Sequence, residues 1–157
     1  MRRLISHAAR LLLAGEPDPA NPAIVGEAQL LSWVEEGVVE YIGWVEDMAA
    51  LWARAHIACL PSYCEGLPKA LLEAMACGWP VVTTNASGCR DCAFGGDNVL
   101  LVPVRDAERL ADALARLIED AGLRQRLGAR VRERAVAEFD QERVIAATLA
   151  VNESICP

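Results

Sequence analysis

Seven residues separate Glu65 from Glu73, and Gly66-Leu67-Pro68 opens the interval. An ionised carboxylate only accepts hydrogen bonds, so two of them suit the hydroxyls of a sugar or a ribose. Gly66 can bring the backbone close to a ligand or adopt a positive φ. Pro68 suits the first position of a helix, where its missing N–H costs nothing. The N–H groups of Gly66 and Leu67 would then point outward at a helix start, where unpaired donors and the dipole favour an anion. Phosphate at the helix end and hydroxyls on two acids would fit a sugar nucleotide. A plainer reading stays open, with Glu65 as an acid at a helix start and Glu73 as a solvated helix residue.

These residues need a strand, a loop and a helix behind them. His56 to Leu60 reads as a buried strand stopped by Pro61-Ser62, and about Pro68 to Cys77 reads as the helix. In an open parallel sheet, ligands bind beyond the carboxyl ends of the strands, where such a loop lies. Further strands are expected at Arg10–Ala14, Val38–Trp44, Pro80–Thr84 and Val99–Val102, with helices at Glu27–Glu36 and Asp47–Ala55. Leu30, Leu31 and Val34 share one face of the first of these helices, and Asp47 suits the positive end of the second. Short apolar strands alternating with helices imply right-handed β-α-β units and a parallel sheet covered on both faces.

After Pro103 the pattern becomes helical. Asp106 is an N-cap for a helix carrying Leu110, Leu114, Leu117 and Ile118. A second helix carries Leu123, Leu127, Val131, Ala135 and Phe139, and a third, from near Asp140, carries Val144, Thr148 and Val151. These stripes read as core faces, so 106–157 is expected to pack on the sheet and 1–157 to form a single domain.

Composition narrows the partners. The chain has 157 residues with 15 basic and 22 acidic side chains, a formal net charge of −7. Lys69 is its only lysine, and from Glu16 to Asp47 there are acids but no base. Such a surface repels phosphate backbones, which argues against nucleic acid as a partner. Met1-Arg2-Arg3 and Leu11-Leu12-Leu13 superficially suggest a signal peptide. His7 and Arg10 interrupt the apolar run, however, and Gly15-Glu16-Pro17-Asp18 is a turn, not a cleavage site. No stretch is long enough to span a bilayer, so a cytoplasmic chain is expected, with peripheral membrane contact still open. Cys59, Cys64, Cys77, Cys89, Cys92 and Cys156 show no metal-site spacing beyond the lone Cys89-Arg90-Asp91-Cys92; they read as small, half-buried thiols, and no metal is expected. His56, inside a strand, reads as a core histidine.

The motifs together resemble the donor-binding domain of glycosyltransferase family 4, enzymes of the GT-B type. Pro61-Ser62, Glu65-Gly66-Leu67-Pro68, Leu72-Glu73-Ala74-Met75-Ala76, Gly78 and Pro80-Val81-Val82 match the family pattern, including its E-x7-E element from Glu65 to Glu73. Leu12-Leu13-Ala14-Gly15, Val39-Glu40-Tyr41-Ile42-Gly43-Trp44, Gly88-Cys89-Arg90-Asp91 and Leu101-Val102-Pro103-Val104-Arg105-Asp106 match in the same order. The resemblance implies a Rossmann-like parallel sheet, the second half of a GT-B fold. It implies retaining transfer of a sugar from a nucleotide diphosphate donor to an acceptor hydroxyl, with no cofactor and no bound metal. By the same resemblance Glu65 is the catalytic-side residue at the donor sugar and Glu73 meets the ribose hydroxyls. The backbone at Gly66 and Leu67 holds the sugar or diphosphate, and Ser62 and Pro68 complete the donor site. The Gly88-Cys89-Arg90 variant is similar to bacterial members that build surface polysaccharides.

The resemblance also marks differences. The family's acceptor domain, and the strand-loop bringing an Arg and a Lys to the diphosphate, have no counterpart here, so a missing N-terminal segment or a separate chain is expected to supply them. Lys69 adjoins the phosphate end but is expected to face solvent. Asp91 stands where the family usually has Glu, Asn85-Ala86-Ser87 replaces Asp-x-Pro, and Val99 takes the place of a turn glycine, which would strain that turn if it needs a positive φ. A non-catalytic nucleotide-sugar binding module, or an inactive fragment, is the alternative.

Overall fold

Short runs rich in Val, Leu and Ile form the strands of the computed structural model, which describes residues 9–21, 24–93 and 98–155. The expected Cys156 thiol and the Asp97 end of the last turn lie outside the described residues. The chain forms two compact units, Met1–Leu51 and Trp52–Pro157.

In the first unit, β1 (Leu12–Ala14) pairs in parallel with β2 (Glu40–Gly43), placing Leu12 opposite Glu40 and Leu13 opposite Tyr41. The register shifts by one residue between Leu13 and Ala14. Helix α1 (Glu27–Glu35) buries Leu30 alone. Leu31 and Val34, expected on the same buried face, remain 52% and 39% exposed, because a nine-residue helix anchored through one leucine covers only that spot. The short helix α2 (Met48–Trp52) starts as its sequence suggests, with the Ala50 N–H donating to Asp47 Oδ1 at 2.9 Å.

In the second unit, β3 (Ala58–Leu60), β4 (Val81–Thr84) and β5 (Val99–Val102) form a parallel sheet in that order. Ala58 faces Val81, which faces Val99, and Thr84 faces Val102. β4 is buried along its whole length, as a central strand covered on both faces must be. Alternation sends its side chains to opposite sides. Val81 joins Leu71, Ala74 and Met75 of α3 (Lys69–Ala76) and Val131 and Ala135 of α5 (Ala121–Glu138). Val82 joins Ala113 and Leu117 of α4 (Ala107–Glu119) and Leu127 of α5.

The caps follow the sequence: Asp106 Oδ1 accepts from Arg109 N–H at 2.9 Å, and Asp120 Oδ1 from Leu123 N–H at 2.8 Å. Between α3 and β4 the chain turns at Gly78 (φ +77), and Gly128 of α5 lies so close that a Cβ there would sit 2.1 Å from the Gly78 carbonyl oxygen.

Three further expectations change. β3 begins at Ala58, so His56 precedes the ladder and is exposed; it is not a core histidine, and its ring meets Trp79 at 5.8 Å between centroids. Val99 is the buried first residue of β5 and has no positive φ, so no strain arises there. The last helix, α6 (Gln141–Ile155), buries none of its residues, although Val144 and Val151 were expected in a core. A periodic stripe records a preference for burial and does not supply the surface that would satisfy it.

Candidate functional site

The loop from Pro61 to Pro68 leaves the carboxyl end of β3 and enters α3. β4 beside it ends in two threonines, and in a fully buried strand their hydroxyls need partners. Both find them in the β3 segment and its loop. Thr83 Oγ1 donates to the Leu60 carbonyl at 2.7 Å, and Thr84 Oγ1 donates to the Ser62 carbonyl. Further on, Glu65 N–H donates to the Ser87 carbonyl at 3.2 Å. Gly88 (φ +77) then lies against the loop so tightly that a Cβ would stand 2.0 Å from the Gly66 oxygen and 2.4 Å from that of Glu65. The end of β4 and the chain following it therefore hold the loop from Ser62 to Gly66.

That holding segment is itself anchored. A 3-10 turn at Arg90–Ala93 follows Gly88, with Cys92 completely buried. Arg134 of α5 is 9% exposed and donates from Nη1 to the Cys92 carbonyl and from Nη2 to the Asp91 carbonyl, each at 3.0 Å. Its Nε reaches Glu138 Oε2 at 3.1 Å, and its guanidinium lies 5.7 Å from the Phe139 ring centroid. A buried guanidinium is stable only with such a full set of acceptors. Asp91, noted as a departure in sequence, thus serves α5 through its carbonyl.

Ser62 is half-buried, and its hydroxyl donates to the Cys64 carbonyl at 3.2 Å. Glu65 is half-buried, while Gly66 and Leu67 are exposed. Gly66 does not take a positive φ, and a side chain there would meet nothing within 4 Å; the glycine keeps the loop's outer face low. Pro68 is buried and is the N-cap (φ −71, ψ 111), not the first helical residue; its carbonyl accepts from Leu71 and Leu72 at 3.0 and 3.2 Å. Glu73 lies in α3 with its side chain 28% exposed, and Lys69 Nζ approaches its Oε1 at 3.4 Å. Lys69 is 90% exposed, as expected, and a surface i,i+4 pair of this kind is weak enough for Glu73 to exchange partners.

The thiols show no shared centre. Among the described cysteines all are free, with Cys64 and Cys77 exposed and Cys89 and Cys92 buried. Burial pushes the Cys59 and Cys92 thiols up to about 11, with the neighbouring Cys89 adding to the effect at Cys92. Among the described residues no three His, Cys, Asp or Glu side chains converge as a metal site, and no helix is long and apolar enough to cross a membrane. A cavity of 260 Å³ lies at the opposite edge of the sheet, before β3 and β4, among His56, Trp79, Pro80, Arg124 and Gln125. It contains none of the residues with donor-binding chemistry.

Sequence reasoning missed Thr83 and Arg134. Two hydroxyls ending an otherwise apolar strand were the available signal for Thr83; Arg134, beside Ala135 in the apolar stripe, gave the signal for a buried base.

Comparison with known proteins adds the family context. The family model for "Glycosyl transferases group 1" matches residues 1–120. A Campylobacter jejuni relative, N,N'-diacetylbacillosaminyl-diphospho-undecaprenol alpha-1,3-N-acetylgalactosaminyltransferase, is 32% identical over 79% of the chain. The match covers 32% of that relative, so the chain spans about a third of its length. Among solved structures, sucrose-phosphate synthase from Thermosynechococcus elongatus aligns over 98% of the chain and 41% of its own, with a TM-score of 0.81 and 29% identity. Anabaena HepE, solved in complex with UDP, aligns over 96% of the chain and 45% of its own at 0.78 and 24% identity, a likeness of fold.

Proposed function

The chain belongs to the group 1 glycosyl transferases, and from that membership we propose that it binds the donor in retaining transfer of a sugar from a nucleotide diphosphate to an acceptor hydroxyl. The observation that carries this reading is the Glu65-Gly66-Leu67-Pro68 loop, held at the carboxyl edge of a parallel sheet by Thr84, Ser87 and Gly88, with Glu73 in the helix it opens. That edge is where an α/β sheet receives ligands.

Each residue has a task in this reading. Glu73 leaves Lys69 and accepts from the ribose hydroxyls. Glu65 accepts from donor-sugar hydroxyls and orients the ring for attack, as the catalytic-side residue. The low profile of Gly66 lets the backbone N–H groups of Gly66 and Leu67 approach the sugar or diphosphate, while Ser62 and Pro68 shape the loop behind them. The bond from the anomeric carbon to the diphosphate oxygen breaks, the acceptor oxygen bonds to that carbon on the same face, and the acceptor's proton passes to the departing diphosphate. Backbone donors and positive charge, with no metal, stabilise the departing diphosphate.

The chain's partial span of its relatives favours a division of labour in which an acceptor domain, in the same polypeptide or another, completes the cleft. The enzyme acts in the cytoplasm, in the synthesis of a bacterial polysaccharide or glycoconjugate. A second reading is a nucleotide-sugar module without turnover.

Calorimetric titration of UDP- and GDP-sugars tests the proposal. The parent chain binds one of them, E73A weakens binding by about tenfold through loss of charge-assisted bonds, and G66V weakens it without lowering Tm. No binding by the parent chain would overturn both readings, and binding without transfer beside a supplied acceptor domain would favour the second.

A further inference from the structure

One backbone position on the same sheet edge is strained. Arg105, in the turn between β5 and α4, has φ +61, and among the described residues no other non-glycine has a positive φ. An L side chain there crowds the neighbouring carbonyl, and a long residue persists in that region only when its surroundings or its use hold it. Arg105 is exposed, so tight packing does not hold it. Its guanidinium carbon instead lies 5.4 Å from the ring centroid of Tyr63, which is itself 57% exposed.

Topology gives this contact meaning. Tyr63 leaves β3 and Arg105 follows β5, so the pair reaches across the carboxyl end of β4, which lies between those strands. Tyr63 stands two residues before Glu65 in the same loop. Among the described residues Arg105 has no carboxylate partner. A guanidinium held over an aromatic face keeps its N–H fork available for an oxyanion.

We propose that Arg105 is a donor-binding residue, whose guanidinium, set in place over Tyr63, pairs with an oxyanion of the nucleotide sugar bound at the Glu65 loop. This rests on the donor-binding reading above. The oxyanion belongs to the diphosphate or to a carboxylate on the sugar, and the ligands below separate the two. From this backbone conformation the side chain crosses β4 to Tyr63.

The test pairs titration with thermal melting of the full chain, using UDP, UDP-glucose and UDP-glucuronate. R105G removes both charge and strain, R105A removes the charge and keeps the strain, and R105K keeps both. R105G is expected to melt no lower than the parent, because relief of the backbone offsets the lost Tyr63 contact, and R105A a few degrees lower through loss of that contact alone. Both should bind about tenfold more weakly, with R105K intermediate. Loss toward all three ligands assigns the diphosphate, and loss toward UDP-glucuronate alone assigns the sugar carboxylate. If R105G binds every ligand as tightly as the parent, or if affinity simply follows Tm, the proposal is overturned while donor binding stands. A parent chain that binds none of the three overturns the donor-binding reading itself.

Discussion

At the scale of single residues, burial decides which groups are chemically available. Cys59 and Cys92 have thiols raised from 9.0 to about 11 by loss of solvent, whereas Cys64 and Cys77 are exposed. The thiolate is the nucleophile, so alkylation of the native chain at pH 8 should label Cys64 and Cys77 and leave Cys59 and Cys92 unmodified until the chain unfolds. Peptide mapping after labelling checks this; rapid modification of Cys92 would contradict its burial. The same shifts have a sign for stability. A thiol whose folded pKa lies above its unfolded value favours the folded state fully below about pH 9, and that contribution is lost as pH rises toward 11. Melting temperature should fall across that interval. The carboxylates were legible at this scale because their spacing and the intervening Gly66-Leu67-Pro68 are local. Arg105 was legible only as a motif position, since its φ and its reach to Tyr63 depend on strands that the sequence leaves far apart.

Elements were read more reliably than their edges. Every expected strand forms, but β3 starts at Ala58, which removes His56 from the core, and the residue capping α3 is Pro68 itself. Periodicity locates a buried run, whereas the ends depend on where a neighbouring strand stops offering hydrogen bonds. Close approaches between elements are invisible to periodicity altogether. Gly128 lies inside α5, where alanine would ordinarily raise helix stability by about 1 kcal/mol. Here the added Cβ would meet the Gly78 oxygen at 2.1 Å, so α5 and the turn after α3 would have to separate. G128A should therefore destabilise the chain by about 2 kcal/mol, measured by urea denaturation. A stabilised variant would show that the Gly78 turn yields readily to α5. The matching contact of Gly88 on Gly66 places a backbone, not a side chain, behind the Glu65 loop.

For the molecule as a whole, the α/β class and the parallel pairing were legible because strand and helix periodicities alternate cleanly as far as Val102. Burial of the last helix was not, because α6 is amphipathic enough to ask for a partner and buries none of its residues. Among the described residues of Trp52–Pro157, the carboxyl edge with Glu65, Glu73 and Arg105 competes as a ligand site with the 260 Å³ cavity at the opposite edge beside Trp79 and Arg124. Chemistry favours the first, since Glu65 and Glu73 offer two carboxylates for hydroxyls there and no carboxylate lines the cavity. The chain's 157 residues suit amide-resolved NMR, and titration with UDP tests the claim most directly. The account predicts shift changes concentrated at residues 62–73, 84–88 and 105. Changes centred on Trp79 and Arg124, or no changes at saturating UDP, would contradict it.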